Sequence, residues 1–221
     1  MNNLVLITSV ICIENTPLSY TNIRSVYSHE ERFEQTKKTI QTIKEKIPNS
    51  KIFIVECSNL NEEQRDYLIN NSDYYLNFYD NINIRNCTSS ISKSLGEGSM
   101  TYHALKFIFN NNIHFDKLIK ISGRYWLSEN FDYNRFDNNN IIIKYIENNL
   151  DNVFTALYQL PKISVKNFEI FLESKFNDMI NCVGYEVLFA NFIKNEKEYI
   201  IHLDTIGLTG FVSVSNDYYN G

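Results

Sequence analysis

The feature that most constrains the fold is an ordered alternation of strands and helices at the start of the chain. Residues 4–10 form a continuous run of apolar and β-branched side chains, which is typical of a strand covered on both faces of a parallel sheet. Ser28 and Glu31 form a capping-box pattern, and apolar residues then recur at helical spacing until Pro48. The next elements are predicted at 51–55 (strand), 62–69 (helix) and 74–78 (strand). This order predicts an α/β fold with a Rossmann-like, mixed and mostly parallel central sheet flanked by helices.

The rest of the chain continues this pattern less regularly. Helices are predicted at 98–109, 165–180 and 185–193, and strands at 118–121, 141–145, 153–160, 199–203 and 211–214. The segment 92–99 places Lys93 and two glycines before a helix, so it is open to interpretation as a phosphate-facing turn or as a plain loop. We predict a single domain over residues 1–221, which can be one domain of a longer polypeptide.

Charge and cysteine usage exclude several classes of function. The net charge of −5 and the pI near 5.4 argue against a nucleic-acid partner, since no basic stripe is available to neutralise phosphates. The four cysteines form no C-x-x-C pair, which favours reduced thiols in the cytoplasm over a zinc or redox motif. No segment approaches the roughly 18 apolar residues that span a bilayer, so we predict no membrane insertion.

Polar residues that follow the predicted strands indicate where a ligand would bind. In an open α/β sheet, ligands bind beyond the carboxyl ends of the strands. The residues at those ends are Thr8, Ser9, Glu56, Asp80, Ser122, Gly123 and Arg124. A carboxylate can accept hydrogen bonds from a ribose or a base, and an arginine can neutralise a diphosphate, so together they predict a nucleotide pocket. For Glu56 the alternative is a cap of the strand-end loop.

Three common nucleotide and hydrolase motifs are absent. No G-x-G-x-x-G follows the first strand, which argues against a dinucleotide-dependent dehydrogenase, and the missing glycine-rich turn also argues against a methyltransferase. The spacing around Lys93 is not that of a Walker loop, and no G-x-S-x-G indicates a serine hydrolase.

Six short segments in order resemble a known family. They are residues 24–27 with 31–32 and 35–36, then 54–58, 95–98, 120–126 (Lys-Ile-Ser-Gly-Arg-Tyr-Trp), 181–186 and 202–204. Together they resemble the GT-A fold glycosyltransferases of large DNA viruses, in particular the amino-terminal domain of chlorella-virus capsid-glycosylation proteins. The resemblance covers nearly the whole chain, and the segment 120–126 is its most specific part.

The resemblance implies a reaction and a set of donor-binding residues. It implies transfer of a sugar, of glucose or rhamnose type, from a UDP-sugar to a glycan or glycoprotein acceptor in capsid glycosylation, which would place the protein in the host cytoplasm. Thr8, Ser9 and Glu56 would hold the uridine, and Lys93 and Arg124 would face the diphosphate or the sugar. The remaining predicted donor-binding residues are Gly96, Ser122 and Gly123.

The family usually employs a divalent cation, Mn²⁺ or Mg²⁺, bound by a D-x-D motif. No Asp-x-Asp occurs in this sequence, and Ser122-Gly123-Arg124 stands where the motif is expected. Two interpretations stay open: the metal takes His202, Asp204 and Asp80 as ligands, or Arg124 replaces much of its charge.

Glu186 resembles the late carboxylate that deprotonates the acceptor hydroxyl in inverting members of the family. With Arg124 it completes the predicted catalytic pair. The alternative for Glu186 is stabilisation of the first turn of its helix. The alternative for the whole chain is a non-catalytic nucleotide- or carbohydrate-binding module with a degenerate GT-A fold, for which the missing D-x-D is the evidence.

Overall fold

The computed structural model describes residues 2–215 and 217–221. The strands are β1 (Asn3–Ser9), β2 (Ser50–Glu56), β3 (Tyr74–Asn77), β4 (Lys117–Ser122), β5 (Tyr125–Leu127), β6 (Ile141–Ile143), β7 (Tyr145–Ile146), β8 (Asn149–Val153), β9 (Leu157–Pro161), β10 (Ile200–His202), β11 (Leu208–Phe211) and β12 (Tyr218–Asn220). The helices are α1 (His29–Lys46), α2 (Glu62–Asn70), α3 (Ile82–Thr88), α4 (Lys93–Asn110), α5 (Lys162–Ser174), α6 (Phe176–Ile180) and α7 (Tyr185–Lys194), with a short 3-10 helix at Tyr133–Arg135.

A seven-stranded sheet in the order β10-β6-β9-β4-β1-β2-β3 forms the centre of the fold. β9 runs antiparallel to both of its neighbours, and every other pair in the sheet is parallel. A three-stranded antiparallel sheet, β12-β11-β5, and a β7-β8 hairpin flank it. The predicted α/β fold with a mixed, mostly parallel sheet is therefore confirmed.

Helices cover both faces of the sheet, because successive apolar side chains of its inner strands point to opposite faces. Leu4 and Leu6 of β1 pack on one face with α4, α5 and α7, whereas Val5 and Ile7 pack on the other face with α1. All four side chains are fully buried. Removing each of them from water contributes roughly 1.5–3 kcal/mol before the entropy cost of ordering.

α1 begins as the sequence predicts and joins the main sheet to the smaller one. The Ser28 hydroxyl accepts a hydrogen bond from the Glu31 amide at 3.2 Å, and the Glu31 carboxylate accepts one from the Ser28 amide at 2.8 Å, which completes the capping box. Further along, the Thr39 hydroxyl donates to the Tyr125 carbonyl at 2.6 Å. The turn between β4 and β5 is thereby held against α1.

Several predicted boundaries are wrong, and α3, β5 and β12 are missing from the prediction. The strand predicted at 211–214 is β11, at Leu208–Phe211. α4 begins at Lys93 rather than at residue 98, so residues 93–99 are helical and do not form a loop. The predicted strand 153–160 is two strands, β8 and β9, and the predicted helix 165–180 breaks at Lys175 into α5 and α6. Over the described residues, we find no helix with the length and apolarity needed to cross a membrane.

Candidate functional site

A deep cleft lies beyond the carboxyl ends of β1, β2 and β4, bounded by the loop after β1 and by α3 and α4. It encloses about 990 Å³, counting the solvent-filled mouth. The charged residues that line it are Arg24, Arg32, Arg85, Lys93, Arg124, Glu14 and Glu97. Five cations therefore face two carboxylates in a chain whose net charge is −5. We call this the cationic cleft.

Three of these cations have no carboxylate partner among the described residues. The side chains of Arg124 and Lys93 make no hydrogen bond or ion pair within that part of the chain, although the Arg124 guanidinium lies over the Tyr125 ring. The Arg85 guanidinium contacts the Tyr79 carbonyl at 3.5 Å and the Tyr79 ring. Lys93 is accessible to solvent where α4 begins, yet desolvation by the surrounding protein and the charge of Arg124 lower its pKa. An anion entering the cleft would relieve this like-charge crowding.

The other two arginines build the wall of the cleft. The Arg24 guanidinium donates to the carbonyls of Thr16 at 2.9 Å and Thr88 at 2.9 Å, and also to that of Ser90, so it ties the loop after β1 to the α3–α4 connection. Arg32 is buried and donates to the Val10 carbonyl at 2.6 and 2.8 Å.

The charge of Arg32 is costly in this position. Burial lowers the pKa of Arg32 to about 9, and the neighbouring charge of Arg124 acts in the same direction. The wall of the cleft is therefore held together by two positive guanidinium groups, of which Arg32 is buried and Arg24 is partly buried.

A buried ion pair lies at the inner end of the cleft. The Lys120 ammonium, which is fully buried, donates to the Glu97 carboxylate at 2.5 Å, to the Ser122 hydroxyl at 2.9 Å and to the Thr155 carbonyl at 2.9 Å. Burial would raise the pKa of Glu97, but the charges of Lys120, Lys93 and Arg124 outweigh it, so the pKa is lowered. Glu97 is therefore an ionised carboxylate that accepts hydrogen bonds but cannot donate them.

Six of the predicted donor-binding residues line the cationic cleft. They are Thr8, Ser9, Lys93, Gly96, Ser122 and Arg124. Gly96 lies where α4 packs closely on α3, since a Cβ at this position would come within 3.1 Å of the Thr88 Cα. The strand ends named from the sequence thus meet at one cleft, and their roles as ligands stay predictions.

The other two predicted donor-binding residues, Glu56 and Gly123, lie behind the cleft wall. Glu56 is fully buried, and its Oε1 atom accepts hydrogen bonds from the Ile11 amide at 3.1 Å and from the Ser58 hydroxyl at 2.5 Å. Burial raises the pKa of Glu56, against the effect of these hydrogen bonds. Gly123 donates to the Thr8 carbonyl at 2.9 Å and leaves no room for a side chain beside Ser9. Both residues shape the loops that carry the lining.

Glu186 lies in a second cleft, which adjoins the first. The residues that line it are Ser19, Tyr20, Ser92, Lys93, Ser94, Glu97, Cys182, Gly184, Tyr185 and Glu186. Lys93 and Glu97 line both clefts and form the wall between them. Glu186 is half-buried in the first turn of α7 and makes no hydrogen bond or ion pair with other described residues. Its carboxylate is therefore available to a molecule in the second cleft.

Of the three predicted metal ligands, Asp80 lies far from His202 and Asp204. His202 ends β10 at one edge of the main sheet and packs against Tyr145, whereas Asp80 follows β3 at the opposite edge. Six strand spacings separate these edges, which is about 29 Å at roughly 4.8 Å per step. Asp204 lies on the β10 side, near Lys144. Across residues 2–215 and 217–221, no three His, Cys, Asp or Glu side chains cluster in a way that could hold a metal ion.

Six charged residues of the site did not emerge as ligands from the sequence: Glu14, Arg24, Arg32, Arg85, Glu97 and Lys120. Two of them stand out in the sequence: Lys120 is a charged residue inside an apolar strand, and Glu97 lies between two glycines. A charged side chain inside a buried strand indicates a buried partner. Arg85 does not stand out, because it belongs to α3, a seven-residue helix without an apolar period.

No protein-family model matches this sequence, and no curated protein matches it either.

Solved structures do match the fold. A CTP:phosphocholine cytidylyltransferase from Streptococcus pneumoniae is 14% identical with a TM-score of 0.55, and the match covers 98% of this chain and 96% of that one. A protein described as a nucleotide-diphospho-sugar transferase from Desulfovibrio desulfuricans G20 is 9% identical with a TM-score of 0.52, covering 92% and 80%. A glycosyltransferase involved in glycosylation of the major capsid of PBCV-1 is 11% identical with a TM-score of 0.49, covering 92% and 82%. The architecture and the first two matches agree on one conclusion: this chain has a Rossmann-like, GT-A-like α/β fold.

Proposed function

We propose that this protein is a transferase that takes a sugar from a UDP-sugar and passes it to a hydroxyl group of a carbohydrate. The observation that carries the proposal is the cationic cleft, where Arg85, Lys93 and Arg124 lack carboxylate partners among the described residues. In a chain with a net charge of −5, such a concentration of positive charge indicates an anionic ligand. A nucleoside diphosphate supplies that charge at the carboxyl edge of the sheet, where this class of fold binds nucleotides.

The first turn of α4 adds to the attraction for phosphate. Ser92 caps the helix by accepting a hydrogen bond from the Leu95 amide at 3.1 Å, and Lys93 is the first helical residue. The amino-terminal end of an 18-residue helix carries a partial positive charge, because the amides of its first turn lack carbonyl partners within the helix. Such a helix end attracts anions. The helix end and the Lys93 ammonium therefore favour a phosphate at the same place.

The second cleft is the natural place for the acceptor. It shares the wall formed by Lys93 and Glu97 with the cationic cleft, so an acceptor there lies beside the sugar end of a bound donor. In the transfer, the bond from the anomeric carbon to the diphosphate oxygen breaks and its electron pair stays on the diphosphate. The acceptor oxygen bonds to that carbon, and its proton passes to Glu186 as general base.

Calorimetric titration with UDP-, GDP- and TDP-sugars, each with Mn²⁺ and with a chelator, tests the donor class. We expect selective binding of a UDP-sugar, followed by release of UDP when a carbohydrate acceptor or water takes the sugar. A folded sample that binds none of these compounds would defeat the proposal. Binding without any turnover would instead favour the non-catalytic binding module.

A second candidate is nucleotidyl transfer, in which a nucleoside triphosphate loses pyrophosphate. What favours it is the match to the cytidylyltransferase, which extends over 98% of this chain. Adding CTP and UTP to the panel and measuring both products separates the two reactions. Pyrophosphate release from a triphosphate would support this candidate, and UDP release from a UDP-sugar would support the first.

A further inference from the structure

The carboxylates of the cationic cleft are poorly suited to hold a divalent cation. Mg²⁺ and Mn²⁺ are bound through carboxylate and other oxygen ligands. Among the described residues, two acidic ones line the cleft: Glu14 on the exposed loop after β1, and Glu97. The Glu97 carboxylate already accepts from the Lys120 ammonium at 2.5 Å and is surrounded by the charges of Lys93 and Arg124. A cation placed beside it would meet three positive charges.

The same cleft already contains the charge that a metal would supply. Arg85, Lys93 and Arg124 line it without carboxylate partners among the described residues. Guanidinium groups match the geometry of phosphate oxygens with paired N–H donors, and an ammonium adds a point charge. Two such groups already carry as much positive charge as one divalent ion, and all three line the cleft.

We propose that Arg85, Lys93 and Arg124 balance the charge of the departing nucleoside diphosphate directly, so that the reaction needs no divalent cation. This inference rests on the proposed function and adds to it. As the bond from the anomeric carbon to the diphosphate oxygen breaks, the electron pair moves onto that oxygen. The three cations stabilise the resulting negative charge, and the acceptor proton goes to Glu186. No redox partner or co-reactant is required.

Titration of UDP into the full chain, freed of metal by EDTA, tests the proposal, with CDP and GDP run alongside. We expect the affinity for UDP in EDTA to lie within about two-fold of the affinity in Mn²⁺ or Mg²⁺, and turnover of the UDP-sugar to persist in EDTA. Binding or turnover that vanishes in EDTA and returns with Mn²⁺ would overturn this inference and leave the proposed function standing. A folded sample that binds no nucleotide in either condition would overturn both.

Variants identify which charges act on the phosphates. Arg124→Ala should weaken UDP binding in EDTA by about ten- to a hundred-fold, the range for a lost charge-assisted hydrogen bond. Binding of uridine, which has no phosphate, should be unchanged. Arg65→Ala is the matched control, because Arg65 is exposed on α2 beside Asp66 and does not line the cleft. Equal losses for UDP and uridine, or no loss for either, would refute the assignment of Arg124 to the diphosphate.

Discussion

Replacing Lys120 with methionine tests the buried ion pair on which the inner wall of both clefts depends. Methionine has a similar length but no charge, so Lys120→Met removes the bond to Glu97 and the donors to Ser122 and Thr155. Leaving one partner of a buried ion pair uncompensated costs about 3–5 kcal/mol. The Glu97 side chain is 18% exposed, and the charges of Lys93 and Arg124 remain near it in the variant. The loss of stability should therefore fall near the lower end of that range, at about 3 kcal/mol.

Urea denaturation at neutral pH measures this loss, and a double variant shows whether charge is its cause. In Lys120→Met/Glu97→Gln the uncompensated carboxylate is gone, so we expect roughly half of the lost stability to return. If the double variant is less stable than Lys120→Met alone, or if Lys120→Met costs under about 1 kcal/mol, the reasoning fails.

The contribution of the Lys120–Glu97 ion pair to the free energy of unfolding should decrease in acid. The pKa of Glu97 is lowered in the folded protein from an ordinary value of 4.5. Its contribution to stability is therefore complete above pH 4.5 or so, and it is lost as the pH falls through the lowered folded value. The stability gap between the unchanged protein and Lys120→Met should accordingly narrow in acid. A gap that stays constant or widens in acid would refute this account.

Three further predictions concern the base, a turn and a thiol. Glu186→Gln should lower turnover by about 10²- to 10⁴-fold and leave UDP affinity nearly unchanged, whereas unaltered turnover would remove Glu186 from the chemistry. Gly207→Ala should cost at least about 2 kcal/mol in urea denaturation, because φ is +68° and the new Cβ would lie 2.3 Å from the Phe131 Cα. Gly184→Ala, whose nearest contact would be 3.6 Å, is the control. Burial raises the pKa of Cys57 to about 11, so mass spectrometry after iodoacetamide treatment at mildly alkaline pH should find Cys57 unmodified; early modification would contradict this.

Much of the fold could be predicted because local and global signals agree in the first half of the chain. The capping box and the apolar period of α1 both occur as the sequence indicates. The start of α4 was misplaced because Gly96 and Gly98 are poor helix formers. Both glycines instead lie at close packing contacts: a Cβ on Gly98 would lie 2.1 Å from the Met179 sulfur, and one on Gly96 would lie 3.1 Å from the Thr88 Cα of α3. Such contacts depend on distant segments and leave no trace in a local pattern.

The residues of the candidate site are likewise predictable from the sequence only in part. Thr8 and Arg124 reach the cleft because β1 and β4 are adjacent, parallel and end at the same edge. His202 is the last residue of β10, which ends on the same side of the sheet as β1 and β4. However, β10 is an outermost strand, far from both of them. The order of strands along the sequence does not reveal their order in the sheet. The rule that ligands bind at strand ends therefore cannot tell which strand ends lie close to the cleft and which lie far from it. Arg24 reaches the cleft through a loop whose path depends on four backbone carbonyls in two segments.

The wall formed by Lys93 and Glu97 has a consequence for how two substrates meet. Because both residues line both clefts, a molecule bound in one cleft becomes part of the surroundings of a molecule bound in the other. A diphosphate beside Lys93 cancels a positive charge that would otherwise act on the second cleft and on Glu186. Thermodynamic linkage makes this influence mutual, so each substrate changes the affinity of the other by the same factor. The charge at the first turn of α4 therefore couples the affinities of the two clefts.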